Sequence, residues 1–177
     1  MKILKFTLGV LSLLLVAATQ SVAQVDGTAT IAATADIAAT VVVDGTAGLD
    51  FGTDLAPGTP VTIDPQTDAT AGHFTITGTP GAEVDAVLTL PTDLIHDVDG
   101  TTTLPVDFTG NTAAWALAGA DQATATLYDP STTLTEFLDI TTGELHIWLG
   151  GTLNPGDPQK AGTYSADITL DITYTGN

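Results

Sequence analysis

A long alternation of apolar and polar residues near the start of the chain is the clearest pattern in the sequence. Between residues 25 and 43, the odd positions are apolar or glycine, whereas the even positions are mostly polar or small. A period of two is typical of a β-strand that buries one face. At about 3.3 Å per residue, such a strand would be roughly 60 Å long, which exceeds the width of a small domain. The pattern therefore predicts a strand that another molecule receives.

The end of the chain shows the same period. From residue 164 to residue 174, the even positions are apolar or aromatic and the odd positions are polar, which predicts one strand with a single buried face. An ordinary final strand without a partner would show the same pattern. The predicted inward-facing residues of this acceptor strand are Tyr164, Ala166, Ile168, Leu170, Ile172 and Tyr174. The predicted donor residues of the N-terminal strand are Val25, Ala29, Ile31, Ala33, Ala35, Ile37, Val41 and Val43.

Short strands separated by turn residues fill the sequence between these two segments. Asp44 and Gly45 predict a break after the long strand, and a helical turn is predicted around residues 136–138. The spacing of the strands predicts an all-β fold, an antiparallel sandwich of the immunoglobulin-like kind over residues 44–177. The predicted short strands begin at residue 49 and continue at residues 60–63, 73–77, 84–90, 104–108, 112–117, 123–128 and 145–149.

The first 23 residues have the composition of a signal peptide. Lys2 and Lys5 precede an apolar stretch over residues 6–18, and small residues follow at 21–23. The apolar stretch is too short to span a bilayer. We therefore expect a secreted protein with no membrane span after signal removal, in which residues 24–43 form an extension and residues 44–177 the folded domain.

The charge balance excludes two classes of partner. The sequence contains 21 acidic residues and three basic ones, and Lys160 is the single basic residue after the predicted signal peptide. Without a basic patch, binding to nucleic acid or to an anionic membrane is not expected. The chain also has no cysteine, which excludes disulfides, thiol catalysis and zinc–thiolate sites.

Candidate catalytic residues are sparse. His73, His96 and His146 are far apart in sequence with no partner two or four residues away, so structural roles are expected for them. No Gly-x-Ser-x-Gly motif is present, and Trp148 lies in an apolar run that predicts a core position. The acidic residues are numerous enough to supply the pair of carboxylates that glycoside hydrolysis uses, so the sequence leaves this alternative open. We expect neither an enzyme nor a cofactor.

Asp97 and Asp99 are weak candidates for a calcium site. Their carboxylates stand at alternate positions of a short loop that ends in glycine, as in calcium-binding loops. No glutamate follows at the distance that would complete the ligands, and turn formation explains these residues equally well.

Two resemblances narrow the function. Gly162, the alternating final strand and Tyr174 resemble the last strand of pilins, and residues 25–43 resemble the extension that a pilin donates to its neighbour. Most of the mature chain resembles secreted bacterial proteins of domain of unknown function 4402, a resemblance that implies no activity. The segments that carry this second resemblance are residues 49–52, 74–81, 88–91, 150–153 and 161–164.

These patterns together predict a structural subunit of an extracellular filament or pilus on a bacterial surface. Each subunit would donate its N-terminal strand to an identical subunit, with a secretion chaperone or assembly platform as a further partner. The alternative is a monomeric secreted immunoglobulin-like module that binds glycans or another surface partner.

Overall fold

The computed structural model describes residues 40–119 and 121–176, which all belong to one compact unit, Ile37–Asn177. Within these residues the fold is all-β, as the sequence predicts, and the single helical segment is a 3-10 turn at Gln122–Thr124. The strands are β1 Val42–Ala47, β2 Val61–Ile63, β3 Gly72–Thr77, β4 Glu83–Thr89, β5 Asp93–His96, β6 Thr103–Asp107, β7 Ala113–Leu117, β8 Thr126–Tyr128, β9 Leu134–Phe137, β10 Glu144–Leu149, β11 Gly151–Leu153, β12 Tyr164–Ser165 and β13 Thr169–Tyr174.

In the part of the chain that the structure describes, three antiparallel sheets build a sandwich-like arrangement. The first sheet has the strand order β1-β3-β10-β7-β8, the second β12-β5-β6-β11-β2 and the third β13-β4-β9. The second and the third sheet both pack against the first, since one core cluster joins the first sheet to the third and another joins it to the second.

Strand β10 connects the two halves of the core. Leu145 and Ile147 pack against residues of the third sheet, and Leu149 packs against residues of the second. All three side chains are fully buried. These three residues share the face of β10 that packs on the core, whereas Glu144 and His146 on the opposite face are only half-buried.

The predicted helical turn at residues 136–138 is wrong, because strand β9 extends to Phe137 and the N–H of Leu138 then donates a hydrogen bond of 2.9 Å to the carbonyl of Ala82. Leu134 enters the core, and the hydroxyl of Thr135 donates a hydrogen bond of 2.6 Å to Asp85 on the neighbouring β4. Four residues are too few for their periodicity to separate a strand from a helical turn, so pairing with β4 decides the conformation.

The final strand is interrupted, whereas the sequence predicts one continuous strand. β12 pairs with β5 of the second sheet, and β13 pairs with β4 of the third. Residues 166–168 connect the two and belong to neither strand. The predicted alternation is nevertheless confirmed, because even positions from 164 to 174 are half-buried and odd positions are exposed.

Strand β1 continues through the predicted break at Asp44 and Gly45. It pairs with β3 from Val42 to Ala47, and an irregularity in register lies between Gly45 and Ala47. A β-bulge allows the strand to accommodate these turn-favouring residues without ending. No helix in the part of the chain that the structure describes is long and apolar enough to cross a membrane.

Candidate functional site

Strand β13 forms one edge of the third sheet. Its residues pair with β4 from Thr169 to Tyr174, and no other described strand pairs with it. The inward-facing residues Leu170 and Ile172 are only half-buried, although they pack on the core. An edge strand of this kind presents backbone N–H and C=O groups to which a further strand can add.

Strand β1 is an edge of the first sheet, and it meets β13 at Tyr174. The Tyr174 hydroxyl donates a hydrogen bond of 3.0 Å to the carbonyl of Thr40, just before β1, and accepts one of 2.9 Å from the N–H of Thr79. Val41 and Val43 pack against the same core cluster as Tyr174. Both edges therefore border the same part of the core.

Gly78 makes this position of Tyr174 possible. A Cβ atom on residue 78 would lie 2.2 Å from the Tyr174 hydroxyl oxygen and 2.7 Å from a methyl carbon of Leu138. Neither contact is sterically acceptable, so the close approach of the tyrosine requires glycine here.

A cavity of about 370 Å³ lies where the final strand is interrupted. Residues 164–168 line it on one side, and the bulged end of β1, with Gly45 and Gly48, lines it on another. Phe74, Phe108 and the fully buried Leu149 supply apolar walls. Among the described residues, apolar space of this size is suited to apolar side chains from a bound segment.

A second cavity, of about 750 Å³, continues from the first. Leu49, Phe51, Leu94 and Tyr164 line both cavities. We call the two cavities together the edge groove; its lining includes residues from the segments 45–55 and 160–168.

His96 holds the segment that begins the final strand. It is only 3% exposed, and its Nε2 donates a hydrogen bond of 3.2 Å to the carbonyl of Ala161. Its Nδ1 accepts hydrogen bonds from the N–H groups of Val98 and Asp99, at 3.2 and 3.3 Å. Its ring also meets Tyr164 edge-on, with 5.0 Å between the ring centroids. The structural role predicted for His96 is thus supported by its contacts.

Asp99 joins the same turn to Lys160. The Lys160 ammonium forms a salt bridge with the Asp99 carboxylate, which also accepts hydrogen bonds from the N–H groups of Thr101 and Thr102. The ammonium and then these backbone groups hold the pKa of Asp99 well below its usual range. The turn and residue 160, which lines the edge groove, are thereby connected.

The Asp99→Asn variant is expected to lose more stability at neutral pH than in acid. Because the folded-state pKa of Asp99 is depressed, its contribution is present above the unfolded pKa of about 4 and is lost as the pH falls below it. Thermal unfolding between pH 2.5 and 7 tests this sign. The difference in melting temperature between the wild type and Asp99→Asn should shrink on acidification. A difference that stays constant with pH, or one that Asp171→Asn on the exposed face of β13 reproduces, would contradict the assignment.

The two calcium candidates are engaged in hydrogen bonds within the protein. Asp97 accepts a hydrogen bond of 2.6 Å from the hydroxyl of Ser165, and Asp99 is occupied as described above. Across residues 40–119 and 121–176, no group of three or more histidine, aspartate or glutamate side chains is arranged to hold a metal ion. The arrangement favours turn formation as the role of both carboxylates.

His73 and His146 are brought together, which their separation in sequence did not predict. The Nε2 atom of His73 lies 3.2 Å from the Nδ1 atom of His146. Adjacent strands β3 and β10 carry these residues, and the register between the strands decides their contact. Trp148 is buried, as predicted, but in a small cluster on the outer face of the first sheet with Ala114, Ala116 and Ala125.

The structure describes all of the predicted acceptor residues but only the last two of the predicted donor residues. Val25, Ala29, Ile31, Ala33, Ala35 and Ile37 lie outside the described residues. Val41 precedes β1 and Val43 is in it, so the last residues of the predicted extension pack against the core of their own chain. Of the acceptor residues, Tyr164, Ala166 and Ile168 line the edge groove, and Leu170, Ile172 and Tyr174 pack on the core beside it.

Comparison with known protein families identifies the chain. A family model described as Domain of unknown function (DUF4402) matches residues 27–174. The chain belongs to this family. The match extends from the N-terminal alternation to Tyr174, so it includes both segments that border the edge groove. No curated protein matches the sequence.

Proposed function

We propose that the protein is a structural subunit of an extracellular filament, in which residues 24–39 of one copy add as a strand beside β13 of the next. The observation that carries the proposal is the edge of β13, unpaired among the described residues and adjoining the apolar edge groove. Strand addition would pair the exposed backbone groups of this edge and cover its half-buried side chains.

The sequence of the extension fits this groove. Residues 24–39 alternate as a strand does, with mostly alanine on the apolar face and larger side chains at Val25, Ile31 and Ile37. Small residues permit close approach of the two backbones, while the isolated large residues fix the register. We therefore limit the donated segment to residues 24–39 and leave Val41 and Val43 in their own domain.

The length of the chain favours donation to a second copy over folding back. Thr40 is held at Tyr174, while the cavity lies beside Gly45 and Gly48, about 16–26 Å further along the strand. Ile37 of the same chain is three residues from Thr40 and reaches only about 10 Å. Ile31 would reach only after a reversal of the chain within residues 32–39, a stretch without glycine or proline in which Asp36 is the single turn-favouring residue.

Donation of this kind produces an open assembly. Each subunit would use one surface to give a strand and a different surface to receive one, so the contact is heterologous. A heterologous contact that does not close into a ring continues as a filament. This assembly accounts for the extension and the groove together.

Ile31 is the residue that we assign to the cavity of about 370 Å³. It lies at the centre of residues 24–39, so the flanking residues can cover the groove on both sides of the cavity whichever way the strand runs. Ile37 would remain close to the surface of the donating subunit, because only three residues separate it from Thr40.

Single cysteines introduced into this cysteine-free chain test both the partner and the register. Mature protein carrying Ile31→Cys is mixed with mature protein carrying Gly48→Cys and oxidised. A disulfide requires the two Cα atoms to lie within roughly 7 Å of each other. The proposed register places residue 31 of one copy beside residue 48 of the next, so we expect a disulfide-linked heterodimer. Donors carrying Ile37→Cys are the matched control and should cross-link roughly tenfold less, since disulfide geometry is specific.

The outcomes separate the parts of the proposal. Polymers in which Ile37→Cys cross-links better than Ile31→Cys would overturn the register but not strand donation. If a chain lacking residues 24–39 still formed filaments, strand donation itself would be wrong. A mature protein that stays monomeric and gives no heterodimer would favour the alternative, a secreted binding module.

A further inference from the structure

The outer face of the first sheet carries a second feature, which the edge groove does not involve. On β3, His73 and Thr75 point to this face; on β10, His146 and Trp148 do. His146 pairs with Thr75 in the strand register, and Trp148 pairs with His73. The two imidazoles are therefore diagonal neighbours on adjacent strands.

The two imidazole rings are held in place by their surroundings. The rings of His73 and Trp148 are stacked with 4.8 Å between centroids and an angle of 1° between planes. His146 stacks less closely on Trp148, at 5.8 Å. The hydroxyl of Thr75 lies 3.4 Å from Nδ1 of His146, and the hydroxyl of Thr46 lies 2.9 Å from that of Thr75. Trp148, which stacks on both imidazoles, and Thr75, which contacts His146, thus restrict the positions of the rings.

We propose that His73 and His146 form a binding site for a first-row transition-metal cation of the Cu²⁺, Ni²⁺ or Zn²⁺ type. Nε2 of His73 and Nδ1 of His146 share a hydrogen bond of 3.2 Å, and a cation would displace the shared proton and take the place of this bond. Their separation is close to the spacing of about 3 Å between neighbouring ligands at a metal–nitrogen distance near 2.0 Å. Imidazole suits these three metals, and Cu²⁺ is the one that a given site binds most tightly. Two protein ligands leave the remaining coordination positions to water.

The charge of the surroundings supports cation binding. The same face also carries carboxylates, with Asp44 opposite Thr75 on β1 and Glu144 two residues before His146 on β10. An acidic surface raises the local concentration of cations.

Cu²⁺ is the probe for the test, and Trp148 is a natural reporter because its ring stacks on His73. Titration of the mature protein with Cu²⁺ should quench tryptophan fluorescence with saturation at one equivalent. Electron paramagnetic resonance should detect two coordinated imidazole nitrogens in the wild type and one in His73→Gln or His146→Gln. Each of these variants should bind Cu²⁺ at least roughly tenfold more weakly, as expected for the loss of one of two ligands.

Matched controls separate this site from binding to the acidic surface. Asp44→Asn removes a nearby carboxylate and should leave both nitrogens coordinated. Trp148→Phe should keep the paramagnetic spectrum and lose most of the quenching, because Trp115 faces the core on the opposite side of the sheet. A wild-type spectrum with oxygen ligands alone, or one that neither histidine variant changes, would overturn the proposal. Thermal unfolding of each variant confirms that it is folded.

Discussion

Replacing Gly150 by alanine is expected to lower the free energy of unfolding by roughly 3 kcal/mol, which is at the upper end for overpacking. Gly150 connects β10 of the first sheet to β11 of the second, and its N–H donates a hydrogen bond of 2.8 Å to the carbonyl of Thr112. A Cβ atom here would lie 2.1 Å from the carbonyl oxygen of Ile63 and 2.9 Å from Cδ of Pro65. Backbone has to move to relieve the first contact.

Urea unfolding of Gly150→Ala and of Gly48→Ala measures this effect against a matched control. A Cβ atom at residue 48 would meet no atom within 4 Å, so Gly48→Ala should change stability by less than about 0.5 kcal/mol. If both substitutions proved equally mild, the close packing of the connection at Gly150 would be contradicted.

Replacing His96 by phenylalanine is expected to cost roughly 3 kcal/mol, because three backbone groups lose their hydrogen-bond partner at once. The side chain is buried, and phenylalanine keeps the aromatic ring while removing both nitrogens. The carbonyl of Ala161 and the N–H groups of Val98 and Asp99 would then lack the partners that His96 supplies. The start of the final strand should detach before the rest of the domain unfolds.

Two measurements test this expectation. Urea unfolding gives the loss of stability, with Val98→Ala as a control in the same turn, since Val98 is 88% exposed. Amide hydrogen exchange should become faster at residues 161–165 in His96→Phe, while β10 keeps its protection. Unchanged exchange at these residues would contradict the role of His96 as the anchor of this segment.

The fold class and most strands could be predicted because the alternation of apolar and polar residues in the sequence matches the alternation of buried and exposed side chains in the structure. The alternation in β13 is an example, since one face packs on the core and the other is in water. The interruption at residues 166–168 could not be predicted, because it depends on the position at which the chain passes from the second sheet to the third. Strand β9 was missed for a related reason: four residues paired with β4 carry too little pattern of their own.

The sites show the same division between local and long-range information. The alternation of the final strand predicted which of its residues face inward, and these border the edge groove. The pairing of His73 with His146 joins residues that are 73 positions apart, and only the register between β3 and β10 brings them together. The partnership of Lys160 with Asp99 likewise depends on the contact between two turns.

The hydrogen bonds of Tyr174 also determine how the domain transmits mechanical force. A pull on the chain ahead of Thr40 acts first on the carbonyl that Tyr174 holds, and through the tyrosine on the end of β13 and on the N–H of Thr79. Force applied along β1 then loads its hydrogen bonds with β3 together, in shear, instead of opening them one after another. The phenolic hydroxyl thus makes Thr40, just before β1, a mechanical anchor.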